Sequence, residues 1–184
     1  GEIKDHYELT FDRETFSLDR ELWSDQELPE FGHWYPTWLP KFEGLQVSLE
    51  LEHWSPDQMN GYVRYATTLA DGETVIADGH TYANFSVSFE QWPDSDSPHR
   101  WGTFPDGELC HEETTVGHSP ALLFWDSADP VTRYLFWFNA EEFTFFYMSY
   151  SSDDLNNDMM LKIAKSMKKV EKTETLSFFK SFYK

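Results

Sequence analysis

Hydrophobic and polar residues alternate along much of the chain between residues 45 and 150. In the clearest stretch, Leu45, Val47, Leu49 and Leu51 fall on one face of a strand, and Gln46, Ser48, Glu50 and Glu52 fall on the other. A period of two is typical of a strand that is buried on one side only. We therefore predict a half-buried strand here, with the leucines in the core and Glu52 in solvent.

Further strands are predicted by the same patterning, with turn residues between them. They cover residues 62–68, 73–77, 85–90, 109–116, 121–126, 133–138 and 143–150. The turns are Asp71-Gly72, Asp78-Gly79 and Gly117-His118. The strands at 133–138 and 143–150 are apolar on both faces, so we expect them at the centre of the sheet, covered on each side.

Two stretches lack this regularity. Residues 7–40 contain acidic turns and an aromatic segment in which Pro36 and Pro40 argue against a long helix. Residues 92–106 are polar and rich in proline, which predicts a loop. We expect a single domain over residues 1–184, with an irregular segment at 1–33, a core at 34–168, and a tail at 170–184 whose apolar residues suit a final edge strand.

A helical pattern follows the last predicted strand. Ser152-Asp153-Asp154 resembles an N-cap cluster, and the helix is predicted over residues 154–169. Its apolar stripe consists of Leu155, Met159, Met160, Ile163, Ala164 and Met167. The sequence therefore predicts an α+β fold: a curved antiparallel sheet of about six to eight strands packed against one C-terminal amphipathic helix.

Composition and charge narrow the classes of partner. Hydrophobic residues make up 40% of the chain and aromatic residues 18%, which is rich enough for a packed core. The net charge of −19 argues against binding to nucleic acid or to anionic lipid. Residues 162–184 reverse the sign, with seven Lys and two Glu, and we interpret them as the solvated face of the helix. No apolar run reaches the roughly 18 residues of a membrane span, so we expect no direct membrane insertion.

The residue pattern does not predict a catalytic, metal or cofactor site. In Gly117-His118-Ser119-Pro120 a strand follows the serine where a nucleophile elbow needs a helix, so a hairpin turn explains it better. The seven His residues are scattered, and the acidic clusters at 94–96 and 153–158 lack the glycine and distal glutamate of a calcium loop. Cys110 is the single cysteine, which excludes an intrachain disulfide.

Loop tryptophans are the candidate ligand-binding residues: Trp34, Trp38, Trp92 and Trp101. Exposed aromatic rings beside carboxylates suit a sugar ring or an extended peptide. The alternative is that the four rings close the ends of the sheet and are buried, as large apolar rings usually are. We favour that alternative on the sequence alone.

The end of the chain resembles a known group of domains. Residues 135–167 hold a Trp-containing strand, a polar turn, a second aromatic strand and a helix of the form L-x-I-A-x-S-M. This order resembles an uncharacterised family of extracytoplasmic domains in Gram-positive bacteria, found in membrane-anchored anti-sigma-factor-like or sporulation-associated lipoproteins. Residues 34–42 are similar to its opening, Y-x-P-x-x-L-P-x-G-F/Y, although Gly44 comes later than the family's glycine, and residues 115–118 are similar to its mid-domain turn.

The resemblance implies a secreted or membrane-anchored, non-catalytic domain, and it assigns no site residues. Our leading hypothesis is a non-enzymatic extracytoplasmic sensor or protein-interaction domain, with a protein or cell-wall ligand as partner. A leader or anchor upstream of Gly1 is part of that expectation. The alternatives are a glycan- or peptide-binding module that uses the loop tryptophans, and a hydrolase that uses an Asp/Glu pair.

Overall fold

The computed structural model describes residues 7–11, 15–20, 29–69, 79–91, 99–103, 109–139 and 141–170. Side chains are described in residues 29–69, 79–91, 110–139 and 141–170. The predicted strand at 73–77, its turn at Asp71-Gly72, the residue Trp92 and the tail beyond Val170 lie outside these ranges.

Twelve strands and one helix lie in this part of the chain. The strands are β1 (Tyr7–Phe11), β2 (Thr15–Arg20), β3 (His33–Pro36), β4 (Leu45–Ser55), β5 (Asn60–Leu69), β6 (Asn84–Gln91), β7 (His99–Thr103), β8 (Leu109–Val116), β9 (Ser119–Asp126), β10 (Thr132–Asn139), β11 (Thr144–Ser151) and β12 (Met167–Val170). The helix α1 (Asn157–Lys165) lies between β11 and β12.

The largest sheet has seven strands in the order β4-β5-β6-β11-β10-β9-β8, and every neighbouring pair is antiparallel. Strands β1, β2 and β7 form a second sheet, and β12 pairs with β3 in a two-stranded ribbon. The predicted α+β class, the antiparallel sheet and the helix after it are confirmed. The predicted position of β10 and β11 inside the sheet is also confirmed, since each has a neighbour on both sides.

Three short strands in the first 40 residues and one in the predicted polar loop are corrections to the sequence analysis. The segment predicted to be irregular contains β1, β2 and β3, and the loop predicted at 92–106 contains β7. Strand β7 pairs with β2, which lies about 80 residues earlier in the chain. Whether such a short strand forms depends on a pairing partner far away in the sequence, so local periodicity predicts it poorly.

Alternate residues of β10 and β11 are buried on one face of the seven-stranded sheet, and the main hydrophobic cluster lies on the other face. Strand β6 shows the predicted alternation, with Phe85, Val87 and Phe89 at most 2% exposed. Helix α1 covers this face through Met160 and Ile163, which are fully buried and belong to the same cluster. Met160, Ile163 and Ala164 of the predicted stripe therefore face inward, and their burial against the sheet stabilises the fold. The rest of the predicted stripe is less buried or lies outside the helix.

The helix is shorter than the sequence analysis predicted at both ends. Its N-cap is Asn156, whose side chain accepts hydrogen bonds from the N–H groups of Asp158 and Met159, and not the cluster at 152–154. It ends at Lys165, because the following residues leave the helix to pair with β3. Pairing with a distant strand thus overrides the helical periodicity that extends to Met167.

A β-bulge in β4 overturns the predicted orientation of two residues. Leu49 lies opposite Tyr65 and Leu51 lies opposite Arg64, so one residue of β4 is left without a partner in β5. Because an extra residue reverses the alternation beyond it, Leu51 points outward and is 48% exposed. Glu52, predicted to face solvent, points towards the core face of the sheet.

Truncating the inward stripe of α1 tests this packing. We expect Ile163→Ala to destabilise the protein by about 2–5 kcal/mol, because the buried side chain leaves a cavity. Lys165→Ala, on the exposed side of the same helix, is the matched control and should change stability by less than about 0.5 kcal/mol. Urea denaturation measures both, and equal effects of the two substitutions would contradict the packing described.

Candidate functional site

A polar cluster forms where β3 meets the bulged strand β4. His33 and Tyr35 are two residues apart on β3, so their side chains leave the same side of the strand. The bulge places Glu52 against them. The Tyr35 hydroxyl donates a hydrogen bond of 3.0 Å to Glu52 Oε2, and His33 Nε2 lies 3.5 Å from the same oxygen. Two polar side chains of β3 therefore converge on one carboxylate oxygen of β4.

Aromatic rings enclose the histidine. The His33 imidazole stacks on Tyr35 with ring centroids 4.4 Å apart and on Trp54 at 5.9 Å. The Phe89 ring, from β6, lies 5.2 Å away in a tilted arrangement. His33 is only 2% exposed, whereas the Glu52 side chain is 39% exposed. The carboxylate is thus the solvent-exposed member of this pair, and the histidine is the buried one.

The cluster buries polar atoms that lack hydrogen bonds. Within the residues that the structure describes, the two ring nitrogens of His33 and the indole nitrogen of Trp54 are buried and have no hydrogen-bond partner. Each such buried group costs about 1–3 kcal/mol relative to a hydrogen-bonded one. Most buried polar groups in folded proteins are satisfied, so an uncompensated histidine in this position calls for an explanation.

The surroundings of His33 disfavour its charged form. Burial lowers the pKa of His33 from 6.5 to about 4; the nearby His53 adds to this effect, and the backbone at Trp34 opposes it. Burial also raises the pKa of Glu52, and the hydrogen bond from Tyr35 opposes this rise. At neutral pH the cluster therefore holds a neutral imidazole next to a carboxylate, both with a changed affinity for protons. Its accessible chemistry is proton uptake under acidic conditions.

A second group of contacts ties the end of α1 to the segment after β3. The Thr37 N–H lies 3.0 Å from the Ser166 carbonyl oxygen, and the Thr37 hydroxyl donates to that oxygen at 2.7 Å. The Trp38 N–H donates to the Ser166 hydroxyl at 3.1 Å. These contacts continue the β3–β12 pairing by one residue, so the ribbon is joined directly to the helix.

The four candidate tryptophans lie in different environments. Trp34 is 6% exposed and packs edge-on against Phe146, with ring centroids 4.9 Å apart. Trp38 is partly exposed, and the Lys162 ammonium lies 4.3 Å from its ring centroid. Trp92 lies outside the described residues. Trp101 is on β7, in a part of the chain where only the backbone is described. Among the described side chains, Trp38 is therefore the candidate with an accessible ring.

The acidic cluster at 152–154 has a different role from the predicted cap. Asp154 Oδ2 lies 3.0 Å from His80 Nε2, and Asp153 accepts a short hydrogen bond from the Thr81 N–H. These contacts fasten the segment before β6 to the segment before α1. No group of three or more His, Cys, Asp or Glu side chains in the described ranges is arranged to hold a metal ion.

The predicted hairpin at Gly117 is confirmed. Val116 pairs with Ser119 across a two-residue turn in which Gly117 has a φ of +61°, the left-handed conformation that glycine adopts easily. Ser119 is the first residue of β9. The serine therefore begins a strand, as expected for a hairpin.

The outer face of the large sheet carries a polar groove that the sequence analysis did not identify. It has a volume of about 450 Å³ and is lined by β4, β5, β6 and β11, with small side chains such as Ser86 and Ser149 among the lining residues. Glu50, the extra residue of the bulge, forms an ion pair of 3.0 Å with Arg64 at its rim. Both partners are half exposed, and such pairs contribute little to stability.

The cluster of His33, Tyr35, Glu52 and Trp54 was not predicted from the sequence. Strict alternation places Glu52 in solvent, and the bulge that reverses this has no mark in the local composition. The one available signal is the spacing of His33 and Tyr35 in the aromatic segment, which puts both on one side of an extended chain. Their partner could not be identified without the register of β4.

Comparison of the chain with protein-family models, with curated proteins and with solved structures gives no match. Among the described residues, no helix has the length and apolar composition needed to cross a membrane.

The depressed pKa of His33 predicts a loss of stability in acid. As the pH falls from 6.5 towards 4, the unfolded chain takes up a proton that the folded protein does not, so the free energy of unfolding decreases. The loss from His33 is at most about 3.5 kcal/mol, at about 1.4 kcal/mol per pKa unit over the fall from 6.5 to about 4. Glu52 partly offsets it, because a raised carboxyl pKa favours the folded state as the pH falls.

We expect His33→Phe to remove most of this acid sensitivity, measured by urea denaturation at several pH values between 7 and 4. His118→Gln, on the exposed β8–β9 turn, is the control and should keep the wild-type pH dependence. Parallel pH profiles for the wild type and His33→Phe would show that His33 is not the group responsible.

Proposed function

We propose that the chain is a non-enzymatic extracytoplasmic domain of a membrane-anchored bacterial protein, acting as a sensor or in protein interaction. The resemblance of residues 34–42 and 135–167 to extracytoplasmic domains of anti-sigma-factor-like proteins motivates the proposal. The chain length and its aromatic core suit an independently folding sensor module. The bulge in β4 supports the further expectation that the large sheet is curved.

The observation that carries the proposal is the joining of the two resembling segments. They are about 100 residues apart in sequence, yet β3 pairs with β12 directly after the closing helix. Thr37 and Trp38 bond to Ser166, which belongs to the closing segment. Because the two segments contact each other, the motifs in both of them can belong to one structural unit.

The same ribbon offers a route for a signal. One end of β3 carries His33, next to Glu52, and the other end leads to Thr37 and the end of α1. A structural change at the polar cluster could therefore pass along β3 to the end of α1. A sensor needs such a mechanical connection between a site that responds and a surface that a partner contacts.

Protease access to intact cells tests the cellular location. We expect a tagged full-length gene product, expressed in a Gram-positive host, to be cleaved by protease added to protoplasts without lysis. A cytoplasmic protein with the same tag is the control and should survive until the cells are lysed. Protection of the tagged protein in intact protoplasts would contradict the extracytoplasmic placement.

A second candidate function, glycan or peptide binding, has one specific observation in its favour. Trp38 is partly exposed, and the neighbouring Lys162 places a positive charge on its ring. A ring flanked by a cation suits the aromatic contacts made with sugars or with acidic peptides. Trp34 is buried and does not share in this surface.

Fluorescence titration distinguishes this candidate. If Trp38 binds a cell-wall glycan fragment, the fragment should shift the intrinsic fluorescence of the wild type, and Trp38→Phe should abolish the shift. Trp125→Phe is a matched control, because Trp125 also lies beside a cation, Arg133, at 4.4 Å from the ring centroid. A shift that is absent from the wild type, or that survives in Trp38→Phe, would eliminate Trp38 as the binding residue.

A further inference from the structure

We propose that the proton is the stimulus of this domain: when His33 takes up a proton, the β3–β12 ribbon separates from β4 and the end of α1 is released with it. The inference rests on the proposed sensor function and names the signal that the site receives.

The ribbon is attached to the rest of the protein mainly by buried side chains. In the described part of the chain, β12 pairs only with β3, and neither strand joins the hydrogen-bond ladder of the seven-stranded sheet. His33, Tyr35 and Val170 are each at most 3% exposed and fill the space against the sheet. Loss of favourable packing at His33 therefore weakens the attachment of the ribbon without breaking a strand pair of the large sheet.

A protonated His33 does not suit this environment. The imidazolium has two N–H donors; Nε2 lies 3.5 Å from Glu52 Oε2, which already accepts the Tyr35 hydroxyl, and Nδ1 is buried without a hydrogen-bond partner among the described residues. One N–H would remain buried without an acceptor, together with the charge. Moving the ribbon away from β4 exposes the ring to water and relieves both costs.

The groups around His33 set the direction of the response. From β4, Glu52 favours a proton on the histidine, whereas His53 opposes it. On β3, the Tyr35 hydroxyl is hydrogen-bonded to Glu52, and on β6 the apolar ring of Phe89 contacts the His33 ring. On β12, Val170 is paired with His33, and the Lys169 ammonium extends to Glu142 and to the Glu30 carbonyl. Burial therefore outweighs the single favourable charge.

The released ribbon changes the surface at α1. Ser166 holds the helix end to Thr37 and Trp38 through its carbonyl and hydroxyl oxygens, and these bonds depend on the position of β3. The exposed Lys162, which contacts the Trp38 ring, lies in the last turn of the same helix. Acid would therefore move Trp38 and the lysine-bearing end of the helix together, away from the sheet, and a partner can detect this change of surface.

Hydrogen exchange of the isolated protein tests the proposal, with rates corrected for the intrinsic effect of pH. Between pH 7 and pH 4.5, the protection of the β3–β12 amides should fall by more than about tenfold, since each pH unit below the open-state pKa of His33 favours opening by up to about tenfold. The amides of β11 in the sheet centre should keep their protection. A parallel fall in β11 would indicate global unfolding and overturn the proposal.

Two substitutions identify the responsible group. His33→Phe should abolish the fall in ribbon protection, and a fall that persists in this variant would overturn the proposal. Glu52→Gln should make the fall larger, because it removes both the negative charge that favours the imidazolium and the opposing titration of the carboxyl. If His33→Phe does not fold, Glu52→Gln decides alone: a smaller fall than in the wild type contradicts the proposal.

The outcome is separable from that of the proposed function. Acid opening of the isolated protein, together with protection from protease in intact protoplasts, would support the switch and reject the extracytoplasmic placement. Protease access without acid opening would retain the placement and reject the proton as the stimulus.

Discussion

Strand β4 has one residue more than its partner β5 between Leu49 and Leu51, and the candidate site depends on this single insertion. In a regular strand, Glu52 would face solvent and His33 would have no carboxylate within reach. With the bulge, the carboxylate faces inward to the Tyr35 hydroxyl, and a leucine is left exposed in its place. Exposing Leu51 and partly burying Glu52 both cost free energy, so the bulge is a feature that hydrophobic burial alone does not explain.

The large sheet supplies the rigid part of this arrangement. Its central strands are aromatic on both faces, and the inner face is covered by α1 and by the β3–β12 ribbon. The ribbon contributes buried rings, yet it shares no ladder with the large sheet in the described part of the chain. The protein thus combines a strongly paired sheet with a smaller element held by packing, and elements of the second kind have the lower local stability.

Sequence patterning predicted the parts of the fold that local periodicity controls. The strands β4 to β6 and β8 to β11, their antiparallel arrangement, the Gly117 hairpin and the inward stripe of α1 all follow from alternation, turn residues or helical spacing. The short strands β1, β2, β3 and β7, and the early end of α1, depend on partners far along the chain. The site was missed for the same reason, since His33 and Glu52 meet only through the bulge and the placement of β3.

His33 is a buried histidine that is neutral at pH 7, because burial lowers its pKa even though the Glu52 carboxylate lies beside it. Nuclear magnetic resonance of the imidazole C–H signals during an acid titration measures this pKa directly. Burial should hold the pKa of His33 at about 4, well below its ordinary value of 6.5. A His33 signal that titrates near the ordinary value would contradict the buried placement of the histidine and the switch inferred from it.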